Sequence, residues 1–277
     1  MPQWMGKFAT QNKPTRAKAN SLQRTRRFLR SSTDFPRRVR PLIDHLLTLF
    51  SIPCLLCGQS QRQAASICID CTRDLPWLPK GCPNCAIPWP LHQKTRCGAI
   101  HLAFDECRAA FAYEFPVQAL IVSFKDFEQL HLGRALSVCL AHGPLRSEKK
   151  PDRLVPVPSH RQRLRERGFN PAALIAKDLS HQLAIPLSSR LIQKVNATSP
   201  QKFRSRAARL HHQSNPFVLN QAVPGEHIAV VDDVVTSMAT VHQVSQVLKS
   251  GGARRISVWS IARALPSADP SWPSMTD

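Results

Sequence analysis

HIAVVDDVVTSMAT, residues 227–240, decides the fold. An apolar run long enough for a buried strand, His227–Val235, ends in two carboxylates, Asp232 and Asp233, and passes through a Thr/Ser-rich turn into a helix. A hydrophobic core has no use for that ending, so a polar ligand is expected beside it. Backbone amides of the turn and of the helix start make an anion nest, and the Thr and Ser hydroxyls add donors. The two Asp side chains can accept hydrogen bonds from neighbouring sugar hydroxyls. A ribose 5-phosphate suits this arrangement. The competing structural reading pairs the aspartates with an arginine and uses the Thr to cap the helix.

Working outward, TVHQVSQVLKSGG is a helix closed by Gly251 and Gly252, and RRISVWSIARA is a final strand. Upstream, DECRAAFAYEF reads as a strand. PVQALIVSFKDFEQLHLGRALSVCLAHG reads as one or two helices with Pro116 at the start and Gly143 near the end. RLVPVP, residues 153–158, is a short strand stopped by prolines; RQRLRERGFNPAALIAKDLSHQLA is a basic loop running into an amphipathic helix; LSSRLIQKV is the next strand. Strands alternating with helices predict an α/β fold with a doubly wound parallel sheet, which binds ligands outside the carboxyl ends of its strands. Arg161, Arg163, Arg165 and Arg167, with Glu166 the one acid between them, would gather positive potential at such an end and attract phosphate. The plainer alternative is a solvated basic face.

Nine cysteines are many for a chain of this kind, and seven crowd into positions 54–97. Such clustering points to metal rather than disulfides. Three CxxC pairs stand in a row, Cys54 with Cys57, Cys68 with Cys71 and Cys82 with Cys85, and Cys97 follows alone. Two CxxC turns close the tetrahedral shell of structural zinc, so the first four cysteines fit one complete site, the alternative being redox-active or merely buried thiols. The second site has Cys82, Cys85 and Cys97, but Ile100 stands where a fourth cysteine is expected. His101 is the nearest substitute, His92 and Cys107 are others, and loss of the second ion is a further alternative. Closed sulfur-rich sites leave no position for water, which makes the metal structural rather than catalytic.

DDVVTSMAT resembles the phosphoribosyl-pyrophosphate loop of type I phosphoribosyltransferases, DDVxTTGxT. The wider order resembles the competence protein F (ComF) family from about residue 50 to 265: CxxC pairs, Phe124–Lys125, VPVPSHRQRLRERGFNPAAL, TSPQKFRSRAARLHHQSNPF and then the acidic loop. The resemblance implies a type I phosphoribosyltransferase-like sheet preceded by a small Cys-rich zinc module. It also implies that Asp232 and Asp233 contact ribose hydroxyls, that Thr236, Ser237, Ala239 and Thr240 wrap the 5-phosphate, and that Arg161, Arg165 and Arg167 meet pyrophosphate. Mg²⁺ would accompany phosphoribosyl pyrophosphate in an active enzyme, assisting displacement at the anomeric carbon. No general base for an acceptor is evident.

Several family positions differ. Met238 replaces a glycine whose freedom at positive φ lets backbone approach phosphate, so Met must adopt a compatible conformation or crowd the anion. Pro171 replaces Gln in the RGFNQ signature, and in the stretch Thr198, Gln201, Arg209, His212 and Phe217, His212 replaces Asn. Three functions remain open: a DNA-uptake or DNA-utilisation factor binding single-stranded DNA and DNA-processing proteins, a working phosphoribosyltransferase of nucleotide salvage, and a scaffold with a vestigial pocket.

The formal net charge of the 277 residues is +20. Residues 1–40 carry eleven Lys/Arg against one acid, Asp34. We expect residues 1–45 to be a disordered basic arm able to touch phosphates, or else a solvated leader. Residues 46–104 are then the double zinc-knuckle module, 105–265 the phosphoribosyltransferase-like domain and 266–277 an unstructured tail. No run approaches the roughly 18 apolar residues of a membrane span, and the start lacks a secretory apolar stretch, so a cytoplasmic location is expected.

Overall fold

A computed structural model of the protein describes residues 52–61, 66–92, 102–146, 148–195 and 215–266. The expected arm, Cys97, His101, Thr198, Gln201, Arg209, His212 and the tail beyond 266 lie outside the described residues. The cysteine module and the sheet belong to one compact unit, formed by Pro53–Gln59 and the chain from Ala65 onward.

Among the described residues four strands build the main sheet: β1 (Glu106–Ala112), β2 (Arg153–Pro156), β5 (His227–Val235) and β6 (Arg255–Arg263). Their order is β1-β6-β5-β2, and every pairing is parallel. All four carboxyl ends therefore share one edge. Alternation along β5 sorts its side chains between two cores. Ala229 and Val231 face one apolar cluster with Ile121, Leu136 and Leu179; Ile228 and Val230 face another with Val244 and Leu248. The first cluster is supplied by α3 (Val117–Asp126), α4 (Leu130–His142) and α6 (Pro171–Leu183), and the second by α7 (Ala239–Ser250). Helices on both faces make the sheet doubly wound, as the alternating pattern implies. Within the first layer Gly133 lets α4 approach α3, since a Cβ there would meet the Phe124 ring at 2.6 Å.

Two expectations need correction. RQRLRER is a helix, α5 (Arg161–Arg167), and not a loop. His160 accepts from the Gln162 amide at its start, and Gly168 closes it at φ 74° in the left-handed region, which a glycine enters at no steric cost. LSSRLIQKV does not join the parallel sheet. Only Ile192–Lys194 (β3) is a strand, and it pairs antiparallel with Phe217–Leu219 (β4) as a separate ribbon. Leu187 alone makes a bridge to Leu154 of β2. Among the described residues no helix is long and apolar enough to cross a membrane.

Candidate functional site

At the carboxyl ends of β2 and β5 lies a cavity of about 640 Å³. Asp232, Asp233, Thr236 and Thr240 line it from the β5 side, and Ser159, His160, Arg163 and Arg167 from the loop and helix after β2. Lys125, the last-turn lysine of α3, closes it with its ammonium 2.9 Å from an Asp233 oxygen. Both partners are largely buried, at 20 % and 14 % exposure, so this pair is less screened than a surface ion pair. The carboxylates are thus neither locked to arginines nor enclosed without a cavity.

Each aspartate is also pinned from its own backbone. Asp232 accepts from the Asp233 amide at 2.9 Å, and Asp233 from the Val234 amide at 2.6 Å. Burial, reinforced by the neighbouring Asp233 charge, pushes the Asp232 carboxyl up to about 8. A carboxylate so disfavoured gains by meeting a hydroxyl donor or a cation.

Arg163 and Arg167, one helical turn apart, line the cavity, and Arg167 pairs with Asp126 at 2.8 Å. Arg161 and Arg165 are exposed and not among the lining residues, because α5 turns them to another face. Ser237 and Ala239 belong to the turn without lining the cavity. Arg163 lines the cavity as a member of the arginine group expected to attract phosphate, whereas Lys125, His160, Tyr113 and Lys194 are cavity residues that no sequence pattern assigned to the site. The only sequence signal for Lys125 was its place in the Phe124–Lys125 pair.

Met238 adopts φ 68° and ψ −5°, the left-handed conformation a glycine would take, and its side chain is 3 % exposed among Val235, Val241 and Cys85. It therefore turns into the core and does not crowd the turn. Met238→Gly would relieve left-handed strain of about 1–2 kcal/mol but lose about 2–3 kcal/mol of buried side chain. The expected result is a destabilisation of about 1 kcal/mol in denaturant melts. Pro171 occupies the first turn of α6, where its missing amide costs nothing, and Asn170 caps that helix while donating to the Val157 carbonyl at 2.9 Å. The Gln-to-Pro difference thus serves the helix start.

The cysteines gather into two groups. The ligand atoms of Cys54, Cys57, Cys68 and Cys71 all lie within 4.8 Å of one another. The Cys54 sulfur receives the amides of Cys68 at 3.3 Å and Leu56 at 3.4 Å. Burial alone would raise that thiol, but these backbone donors outweigh it and lower it to about 6. Cys71 moves upward, held by its hydrogen bond to Cys68 and by burial. One thiolate forms readily and the next resists, the behaviour of a shell suited to a cation.

Cys82, Cys85 and His92 form the second group. His92 stands in the last turn of the short helix Trp89–His92, labelled α2 after α1 (Ile69–Asp74). Of the three proposed substitutes for the missing cysteine, His92 is thus brought to the pair. Cys107 is not in the group; it is buried in β1, and desolvation pushes its thiol up to about 12. Donor types in both groups, thiolate and imidazole, match structural zinc.

A doubly wound parallel sheet with a Thr/Ser turn and paired aspartates at its carboxyl edge is here joined to a cysteine-rich zinc-ribbon module. The double zinc ribbon domain family matches residues 45–101. DNA utilization protein YhgH of Salmonella typhi is 31 % identical over 217 residues, covering 76 % of this chain and 90 % of that protein. Competence protein F of Haemophilus influenzae is 30 % identical over 220 residues, with the same coverage. The chain belongs to this ComF/YhgH family. Among solved structures, the glutamine phosphoribosylpyrophosphate amidotransferase of B. subtilis aligns with 46 % of this chain and 25 % of its own, at 19 % identity and a TM-score of 0.34.

Proposed function

We propose that the protein is a DNA-uptake or DNA-utilisation factor whose cavity holds phosphoribosyl pyrophosphate or a related sugar phosphate, and whose basic surface holds single-stranded DNA. The observation that carries the first part is the convergence of Asp232, Asp233, Thr236 and Thr240 with Lys125, Arg163 and Arg167 around one cavity. In this reading the ribose hydroxyls donate to the Asp232–Asp233 pair, and the 5-phosphate sits against the turn of residues 236–240, Ser237 and Ala239 included. Arg167 and Arg163 take the pyrophosphate end, with Arg161 and Arg165 extending the positive field outward. The carboxylate pair also suits Mg²⁺, which would supply charge neutralisation for a departing pyrophosphate. Lys125 must release Asp233 or follow it when sugar hydroxyls arrive.

Zinc in both cysteine groups is structural in this account, with the second ion on Cys82, Cys85 and His92 and Cys97 or His101, outside the described residues, completing its four ligands. DNA utilisation and competence are in the relatives' names, and the net charge of +20 suits a polyanion. Exposed Arg161 and Arg165, one turn apart, supply a basic face on α5 away from the cavity. Single-stranded DNA affinity is expected to fall at least about tenfold between 50 and 200 mM salt, as counterion release requires for several phosphate contacts. The double substitution of Arg161 and Arg165 by Gln should flatten that slope by about two units. A slope unchanged by the substitution would remove α5 from the DNA surface.

A further inference from the structure

Arg263 ends β6 with 0 % of its surface exposed. Its guanidinium reaches in two directions. The Nε donates to the Cys85 carbonyl at 2.8 Å. The Nη1 donates to the carbonyls of Val235 at 2.9 Å and Thr236, the residues that lead into the phosphate turn, and to Ala264 at 2.8 Å. One rigid, permanently charged fork therefore ties the backbone of the second cysteine group to the start of the anion loop.

A second contact runs beside it. Met238, at the centre of the turn, shares an apolar cluster with Cys82, Cys85 and Ile87. The group is tied to the sheet as well, since the Cys107 amide donates to the Pro83 carbonyl at 2.7 Å. The knuckle and the loop are thus two sides of one packed layer.

We propose that the second metal group is a brace for the phosphate turn: an ion on Cys82, Cys85 and His92 fixes the Cys85 carbonyl, Arg263 carries that position to Val235 and Thr236, and the turn is held ready for an anion. Arg263 is a positioning residue in this scheme. It touches no ligand. Without the ion, the CxxC turn relaxes, the guanidinium loses one of its anchors, and the carbonyls of residues 235–236 lose a fixed donor. Buried carbonyls without a fixed partner reorganise rather than stay orphaned. The functional consequence rests on reading the turn as an anion site, but the mechanical linkage does not.

The test uses the full chain in three forms: wild type, His92→Ala and Arg263→Met. Native mass spectrometry counts zinc, hydrogen exchange follows the amides of residues 236–240, and titration with ribose 5-phosphate reports the site. His92→Ala is expected to lose one ion and to speed exchange of those amides at least tenfold, while α4 amides keep their protection. Arg263→Met is expected to speed the same amides with both ions retained. If Arg263→Met does not fold, His92→Ala decides alone. An unchanged ion count in His92→Ala overturns the proposal, and so does a lost ion with unchanged loop exchange. Failure of wild type to bind ribose 5-phosphate would remove the sugar-phosphate reading and leave the exchange result to judge the brace.

Discussion

Stripping the first metal ion is expected to lower the unfolding midpoint of the whole unit by about 10–15 °C. The magnitude follows from packing as well as ligation. Cys54, Ile67 and Leu75 belong to the same apolar cluster as Phe111, Phe124 and Leu140, which lies between the sheet and its helices. Trp77 packs at a tilt of 50° against Phe111, ring centroids 4.5 Å apart, and donates its indole N–H to the Thr72 carbonyl at 2.6 Å. A collapsed knuckle uncovers that ring and the cluster beneath it. A loss of about 4–5 kcal/mol is modest beside the binding free energy of a structural zinc site, and each kcal/mol moves a domain of this size by about 2–4 °C. Calorimetric melts of the zinc-replete wild type and of Cys54→Ser measure it. A shift below about 3 °C would show that the module adds nothing to the stability of the sheet.

The second large effect has opposite signs for stability and for binding. Asp232→Asn is expected to stabilise the unliganded protein by on the order of 1–2 kcal/mol at pH 8, a figure reduced from the full shift because the side chain retains solvent contact. The folded carboxyl, raised to about 8, holds its proton where the unfolded one, at its ordinary value of 3.8, has released it. Wild-type stability from this group is thus greatest below about pH 4 and is lost as pH rises through about 8, whereas asparagine does not titrate. The advantage of the variant should shrink steadily toward acid. Sugar-phosphate affinity should fall about 10–100-fold, the value of hydrogen bonds to a charged acceptor. A site that sacrifices stability for a ligand behaves in this manner. Denaturant melts at pH 5 and pH 8 give the first quantity and titration gives the second. A variant less stable than wild type at pH 8 would contradict the burial argument.

Much of this site was legible because its chemistry is contiguous in the chain. Asp232, Asp233, Thr236 and Thr240 fall within nine residues of one strand and turn, and a strand that ends in two carboxylates announces a ligand edge. The Cys54–Cys71 group was legible for the same reason. Residues delivered from elsewhere were not. Lys125 reaches Asp233 from the far end of α3, an approach set by packing of Phe124 and Gly133 and not by any local pattern. Among the arginines, the choice of Arg163 over Arg161 and Arg165 depended on α5 being a helix, and its start is capped by His160, an uncommon N-cap that gives little signal. His92, named among the alternatives but not preferred, joins Cys82 and Cys85 because the chain turns through Pro88 into the α2 turn, and spacing alone could not choose it over His101. The strand at 187–195 was misjudged because apolar alternation does not distinguish a sheet edge from a detached ribbon.

The most direct test of the central claim is calorimetric titration of phosphoribosyl pyrophosphate with Mg²⁺ into the full, zinc-replete chain, beside the Asp232→Asn, Asp233→Asn double variant. Saturable 1:1 binding by wild type, lost in the folded double variant, is the predicted result. Absence of binding by wild type at millimolar ligand, or equal binding by both proteins, would contradict it.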